Sequence, residues 1–203
     1  MKEFELEQTA DAWIILDLDR AVQAGRGDES TVEVAVRVAA AVADKAILEN
    51  RAVGMTINAH RTAILPADRG ARQHLKVMQL LAAVDGDGAT PLVETLVQTA
   101  GRLRRGMTAI LITASTDATW IRQVAALRSR GIGTVVVTLD AAAFDRVARG
   151  ERERAGEIVP PLDPLVEEQR AQRTRALRHA LAEYELKVRT VSPGQTLAEA
   201  LTG

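Results

Sequence analysis

The chain contains no cysteine, which excludes disulfides and any thiolate-ligated metal. Aromatic residues make up 2% of its 203 residues, so a core has to be assembled from Val, Leu, Ile and Ala. No apolar run approaches the roughly 20 residues that cross a bilayer as a helix, and no secretory signal opens the sequence. The expectation is therefore a soluble domain. Neither charge dominates, with 26 Lys and Arg against 27 Asp and Glu and a net charge of −1. That balance provides no overall attraction for nucleic acid or an anionic membrane. The bases are nearly all arginine, which reads as compositional bias. Phosphate-binding loops are missing as well. No G-x-x-x-x-G-K-[ST] occurs, and Gly25-Arg26-Gly27-Asp28-Glu29-Ser30 lacks the third glycine of a dinucleotide fingerprint and stands too far past a strand. The Arg26-Gly27-Asp28 tripeptide within it is best read as chance. His60, His74 and His179 are scattered, without a second ligand at metal spacing.

What is present is organised around Ala12–Asp19, Ala-Trp-Ile-Ile-Leu-Asp-Leu-Asp. An unbroken apolar run of this length predicts a strand covered on both faces, at the centre of a parallel sheet. It ends on Asp17 and Asp19, at the end of a strand where open α/β sheets place their binding crevice. Ser30-Thr31-Val32-Glu33 has capping-box spacing and predicts a buried helix running to about Asn50. Val53–Ala59 and Arg61–Leu65 predict an antiparallel hairpin, followed by a turn over Pro66–Gly70. A helix is expected from Ala71 to about Val84. The glycine loop Asp85–Ala89 comes next, then a helix with Thr90 as N-cap and Pro91 in the first position, ending near Leu103.

Strand Thr108–Thr113, helix Ala118–Arg130 and strand Ile132–Leu139 complete a strand–helix–strand alternation that predicts a doubly wound α/β fold. The sheet is expected to be mostly parallel, with one antiparallel strand. Asp140–Arg149 suits a short helix, Gly150–Pro164 an exposed connection, and Leu165 to about Glu183 a charged surface helix. Glu185–Val191 predicts a last strand and Gly194–Leu201 a terminal helical turn or two. Lys2–Glu7 alternates like a strand at the outset, as in a fragment of a longer protein. At this length one domain over residues 1–203 is expected. Its core would span about 11–140, with the exposed connection over about 150–164 and the C-terminal helix and strand over about 165–203.

Two families share parts of this pattern. Asp17-Leu18-Asp19 after an apolar strand resembles the opening motif of haloacid-dehalogenase-like phosphohydrolases. That likeness implies a nucleophile at Asp17, a general acid/base at Asp19 and Mg²⁺ at the phosphate. Thr113 ends a later strand as that family's second motif does, and Asp140 and Asp145 stand near its acidic motif. No lysine occurs between Lys76 and Lys187, however, and Arg20-Ala21 replaces the usual Gly-Thr. Asp17, Gly88-Ala89-Thr90-Pro91-Leu92 and the Thr113 strand together resemble a von Willebrand factor type A domain. The resemblance implies a metal-ion-dependent adhesion site, with Asp17 as the first Asp of D-x-S-x-S and Thr90 as the later Thr. Asp19 and Ala21 stand where the two serines belong, and Ala114 replaces the distal Asp. The set left is Asp17, Asp19 and Thr90, with Asp117 near, short of the six or so oxygens a hard divalent ion takes. Mg²⁺ would be held weakly or not at all.

A closer likeness covers nearly the whole chain. Trp13–Asp19, Ala52-Val53-Gly54-Met55, Leu80–Val84 and Ala109–Thr113, together with Lys2–Glu7, resemble the carboxyl-terminal half of the family called domain of unknown function 58. Order and spacing carry this match, since no segment is a catalytic motif. The resemblance implies a von Willebrand A-like interaction module that is not an enzyme and needs no cofactor. It further implies a protein partner, with MoxR-type AAA+ ATPases in view, and a cytoplasmic domain of a membrane-anchored bacterial protein. The binding loops would be Asp19–Glu29, Asp85–Thr90 and Ala114–Asp117, with Asp85, Asp87 and Asp117 as their charged members.

Overall fold

The computed structural model of the protein describes residues 10–196 and Glu199. The strand expected at Lys2–Glu7 and most of the terminal turn, from Leu197 on, lie outside the described residues. The strands are β1 (Ala12–Asp17), β2 (Val53–Asn58), β3 (Thr62–Asp68), β4 (Thr108–Thr113), β5 (Gly133–Leu139) and β6 (Lys187–Val191). They form one six-stranded sheet in the order β3-β2-β1-β4-β5-β6. The β2–β3 pair is antiparallel and all other neighbours are parallel. As the unbroken apolar run predicted, β1 is buried at every position and lies between β2 and β4.

Helices cover both faces: α1 (Thr31–Leu48), α2 (Gly70–Ala82), α3 (Leu92–Ala100), α4 (Ile121–Ser129), α5 (Ala141–Arg154) and α6 (Pro164–Glu183). Alternate β1 side chains feed two cores. Ile14 and Leu16 pack with Val38 and Val42 of α1 and Phe144 of α5. Trp13 and Ile15 pack with Leu96, Val124 and Leu177 of α3, α4 and α6. Each fully buried aliphatic side chain contributes about 1.5–3 kcal/mol, which lets a sequence poor in aromatics dispense with them. The exceptions are Trp13, Trp120 and Phe144, and Gly54 makes room for Trp13: a Cβ on Gly54 would stand 2.4 Å from the indole. The indole N–H donates to Thr56 Oγ1 at 3.0 Å.

The elements depart from the sequence expectations in four places. First, β3 runs through Pro66 to Asp68 where a turn was expected. It is an edge strand, so the N–H that proline lacks can face away from the ladder. Second, the helix expected to begin at Pro91 with Thr90 as N-cap begins at Leu92, and Pro91 is its N-cap. The Pro91 carbonyl accepts from the amides of Glu94 and Thr95. Third, Ala118–Trp120 is a 3-10 turn capped by Asp117, and α4 proper starts at Ile121. Fourth, α5 passes through Gly150 to Arg154. One glycine costs a helix only about 1 kcal/mol, and Asp140 capping the Ala143 amide at 3.1 Å supports the start.

Candidate functional site

The strand order reverses between β1 and β4, so their carboxyl ends flank the crevice where doubly wound sheets bind ligands. Parallel register sets the residues that meet there. Asp17 pairs with Asn58 across β1–β2, and Leu16 pairs with Ile112 across β1–β4, which brings Thr113 beside Asp17. The Thr113 hydroxyl donates to Asp17 Oδ2 at 2.7 Å. Asp17 Oδ1 accepts from Asn58 Nδ2 and from the Asp19 amide, each at 3.2 Å. Asn58 Nδ2 also donates to the Thr90 carbonyl at 2.5 Å. One amide thus ties the end of β1 to the loop before α3. Asn58 Oδ1 is buried and has no partner among the described residues.

Asp17 is 1% exposed. Burial raises its carboxyl pKa above the ordinary carboxylate range. The hydrogen bonds from Thr113, the Asp19 amide and Asn58 pull the other way, and the Asp19 charge adds a smaller push upward. Asp19 is only partly buried, and its Oδ1 accepts from the Ala21 amide at 3.0 Å. Gln23 Nε2 donates to the carbonyls of both Asp17 and Asp19 at 3.2 Å, closing the loop over the strand end.

The glycine loop docks directly on this loop. The Gly88 amide donates to the Leu18 carbonyl at 3.0 Å, and the Gly88 carbonyl accepts from the Arg20 amide at 2.9 Å. A Cβ at Gly88 would lie 2.7 Å from the carbonyl oxygens of both Leu18 and Asn58. Glycine is required there by close backbone approach. Asp87 is spent on the hairpin, accepting from the His60 amide at 2.8 Å, and Asp85 on the Gly86 amide at 2.7 Å. Asp117 accepts from the Thr119 amide and hydroxyl at 3.0 and 2.8 Å. Asp85, Asp87 and Asp117 are all exposed.

Of the residues singled out from sequence, Asp17, Asp19 and Thr90 therefore share one crevice, with Thr90 contributing its carbonyl to the bridge through Asn58. Asp85, Asp87 and Asp117 stand on the surrounding loops as turn and cap residues. The donor set is a poor fit for a hard divalent ion. Both Asp17 oxygens already accept protein hydrogen bonds, and Ala21 and Ala114 carry no donor atom. Among the described residues no three His, Cys, Asp or Glu side chains converge as a metal cluster. Sequence reasoning missed Asn58 as a site residue, reading it only as part of the strand Val53–Ala59. A polar residue ending an apolar strand beside β1 was the signal that could have found it.

A family model described as "Protein of unknown function DUF58" matches residues 1–157. No curated protein matches the sequence. Among solved structures, the conserved hypothetical protein BatB from Bacteroides thetaiotaomicron superposes with a TM-score of 0.59 at 17% identity, covering 94% of both chains. An aerotolerance-related membrane protein from Bacteroides fragilis gives 0.52 at 16% identity, over 87% of this chain and 98% of that one. A von Willebrand factor type A protein from Catenulispora acidiphila gives 0.54 at 15% identity, over 94% of this chain and 41% of that one. The fold is thus von Willebrand A-like.

Proposed function

This chain belongs to the DUF58 family, and from that membership and the crevice geometry we propose that it is a non-enzymatic protein-interaction module. The observation that carries the reading is the state of Asp17. Burial pushes its carboxyl pKa up, and every hydrogen bond it accepts comes from within the chain. Its role is to hold the ends of β1, β2 and β4 in place. What reaches solvent is the loop surface that this clamp supports, including Arg20, Ala21, Asp85, Asp87, Ala89 and Asp117. Loops positioned by a rigid sheet are a common vehicle of binding.

The adhesion site is degenerate in this reading, with Asp17, Asp19 and Thr90 holding Mg²⁺ weakly at most. The partner is a protein, and the family resemblance makes a MoxR-type AAA+ ATPase the candidate, acting in complex assembly. Among the described residues no helix is long and apolar enough to cross a membrane. A neighbour described as a membrane protein accords with an anchored parent whose cytoplasmic part is this domain. The phosphohydrolase alternative needs Asp17 free to attack a phosphate, and burial with three donors on its oxygens opposes that.

The test is capture from the native host with the intact gene product, in parallel with Arg20→Glu and Asp87→Lys loop variants. A specific protein retained by the parent and lost from the loop variants supports the reading. Equal capture by all three places binding elsewhere and overturns it. A separate assay with a generic phosphomonoester and Mg²⁺ should show no turnover; turnover abolished by Asp17→Asn would establish the alternative.

A further inference from the structure

A second feature opens onto the same face. Between α6 and the carboxyl end of the sheet lies an open cleft of about 700 Å³, a size in the usual range for ligand sites. Its floor is Thr138 of β5 with Val188 and Thr190 of β6, and one end runs to Ala21–Ala24 and Ala114–Ala118, the loops flanking Asp17.

The face that α6 turns to this cleft changes character along the helix. Leu177 and Leu181 are buried against the sheet. One and two turns earlier, on the same face, stand Thr174, Arg173 and Arg170. A helix serving only to cover a sheet would carry apolar residues along that whole stripe. Here the stripe becomes cationic where the helix stands off and the cleft opens. Residues 163–173 are exposed throughout, and α6 is latched to α5 there by the Arg170–Asp145 pair at 2.7 Å.

The cleft's lining balances in formal charge, three arginines against three aspartates, but the two signs are not engaged alike. Its three carboxylates are already engaged: Asp145 by Arg170, Asp140 by the Ala143 amide, and Asp117 by the Thr119 amide and hydroxyl. Arg173 and Arg178 also line it, and neither forms an ion pair or a side-chain hydrogen bond among the described residues. Two guanidinium groups above a floor of hydroxyls and aliphatic side chains match a ligand that alternates carboxylates with aliphatic groups.

We propose that this cleft takes a short acidic–aliphatic peptide segment of the protein partner, its carboxylates on Arg173 and Arg178 and its aliphatic groups against the half-buried Val22 and Val188. The assignment rests on the interaction-module reading and extends it, because the cleft and the loops form one continuous surface. Peptide is favoured over nucleotide because no aromatic side chain lines the cleft to stack a base, and over nucleic acid because the chain carries a net charge of −1.

The test uses the full chain and a fluorescent peptide of about six alternating Glu and Leu residues, spanning about 20 Å when extended, with its Gln-for-Glu counterpart as control. Anisotropy titrations are expected to show saturable binding of the Glu peptide only. Affinity should fall at least tenfold in Arg173→Gln/Arg178→Gln and stay within twofold in Arg175→Gln, whose side chain does not line the cleft. Thermal unfolding of each variant checks that it folds. Equal binding of the Gln peptide, or an equal loss in Arg175→Gln, overturns the proposal. So does displacement of the Glu peptide by equimolar inorganic phosphate, which would make the site one for small anions. Host capture separates the two readings: if the double variant binds no Glu peptide yet keeps a loop-dependent partner at full strength, the cleft proposal fails and the module stands. Absence of both peptide binding and partner capture sinks both.

Discussion

Replacing Asp17 by Ala and by Asn separates two contributions of opposite sign. The carboxylate accepts from the Thr113 hydroxyl, Asn58 Nδ2 and the Asp19 amide. In Asp17→Ala, Asn58 keeps the Thr90 carbonyl, while the Thr113 hydroxyl and the Asp19 amide lose their acceptor. A buried donor left unpaired costs about 1–3 kcal/mol, so the two together cost about 2–6 kcal/mol, less what is regained by removing a buried charge. For a chain of this size about 1 kcal/mol moves Tm by about 2–4 °C, so a fall of about 5–15 °C is expected. Asp17→Asn keeps the shape and one acceptor oxygen while deleting the charge. Because the folded-state pKa of Asp17 is raised, the native state holds its proton to higher pH than the unfolded chain does. Its contribution to stability is therefore fully present below the unfolded value of about 4 and is lost as pH rises through the folded value. The difference in unfolding free energy, wild type minus Asp17→Asn, should be most favourable to wild type near pH 4 and should decline toward pH 7. There Asp17→Asn should match or exceed the wild type. Urea titrations of both proteins across that range measure it. A difference that is flat, or that grows with pH, would refute the assignment of Asp17 as a buried carboxyl held against its own desolvation.

Three further outcomes are expected. Gly88→Ala puts a Cβ 2.7 Å from two backbone oxygens that cannot rotate away; a loss of about 1–3 kcal/mol, read as a lower urea midpoint at constant slope, should follow, and an unchanged midpoint would deny the close approach. With Asp17 saturated and Ala21 and Ala114 donating nothing, exchanging EDTA for millimolar Mg²⁺ should leave Tm within about 2 °C. A larger rise, lost in Asp17→Ala, would show a living metal site. Arg170→Gln breaks a partly exposed pair worth no more than about 1 kcal/mol, so Tm should hold while limited proteolysis between residues 155 and 170 accelerates. Unaltered cleavage would mean that the pair does not latch α6.

The parts of the fold that were legible in the sequence were those where local pattern and tertiary role coincide. The unbroken Trp13–Leu16 run specifies a doubly covered strand whatever surrounds it, and two buried faces require neighbours on both sides. Gly88 also showed itself, because a glycine between Asp87 and a helix start signals a tight loop. Local pattern made the site legible only at the end of β1, while the family resemblance brought in Thr90 and Thr113. Asp17 follows its own apolar run, but Asn58 joins it through the β1–β2 register, and nothing near residue 58 reports which residue it will face 41 positions away. The same limit explains Thr90. Local propensity favours it as an N-cap, yet with the Asn58 amide on its carbonyl the helix starts one residue later than expected, at Leu92 rather than Pro91. The α6 arginines are the extreme case. Charges on a helix are ordinarily solvated, and spacing alone places Arg170, Arg173 and Leu177 on one side without saying how far that side stands from a sheet. That distance depends on β6 joining the sheet beyond β5 and on Asp145 of α5 holding the first half of α6 in place. Whether an arginine faces water or a partner is thus decided by strand order and a pair of helices, and no window of sequence around residue 173 contains that information.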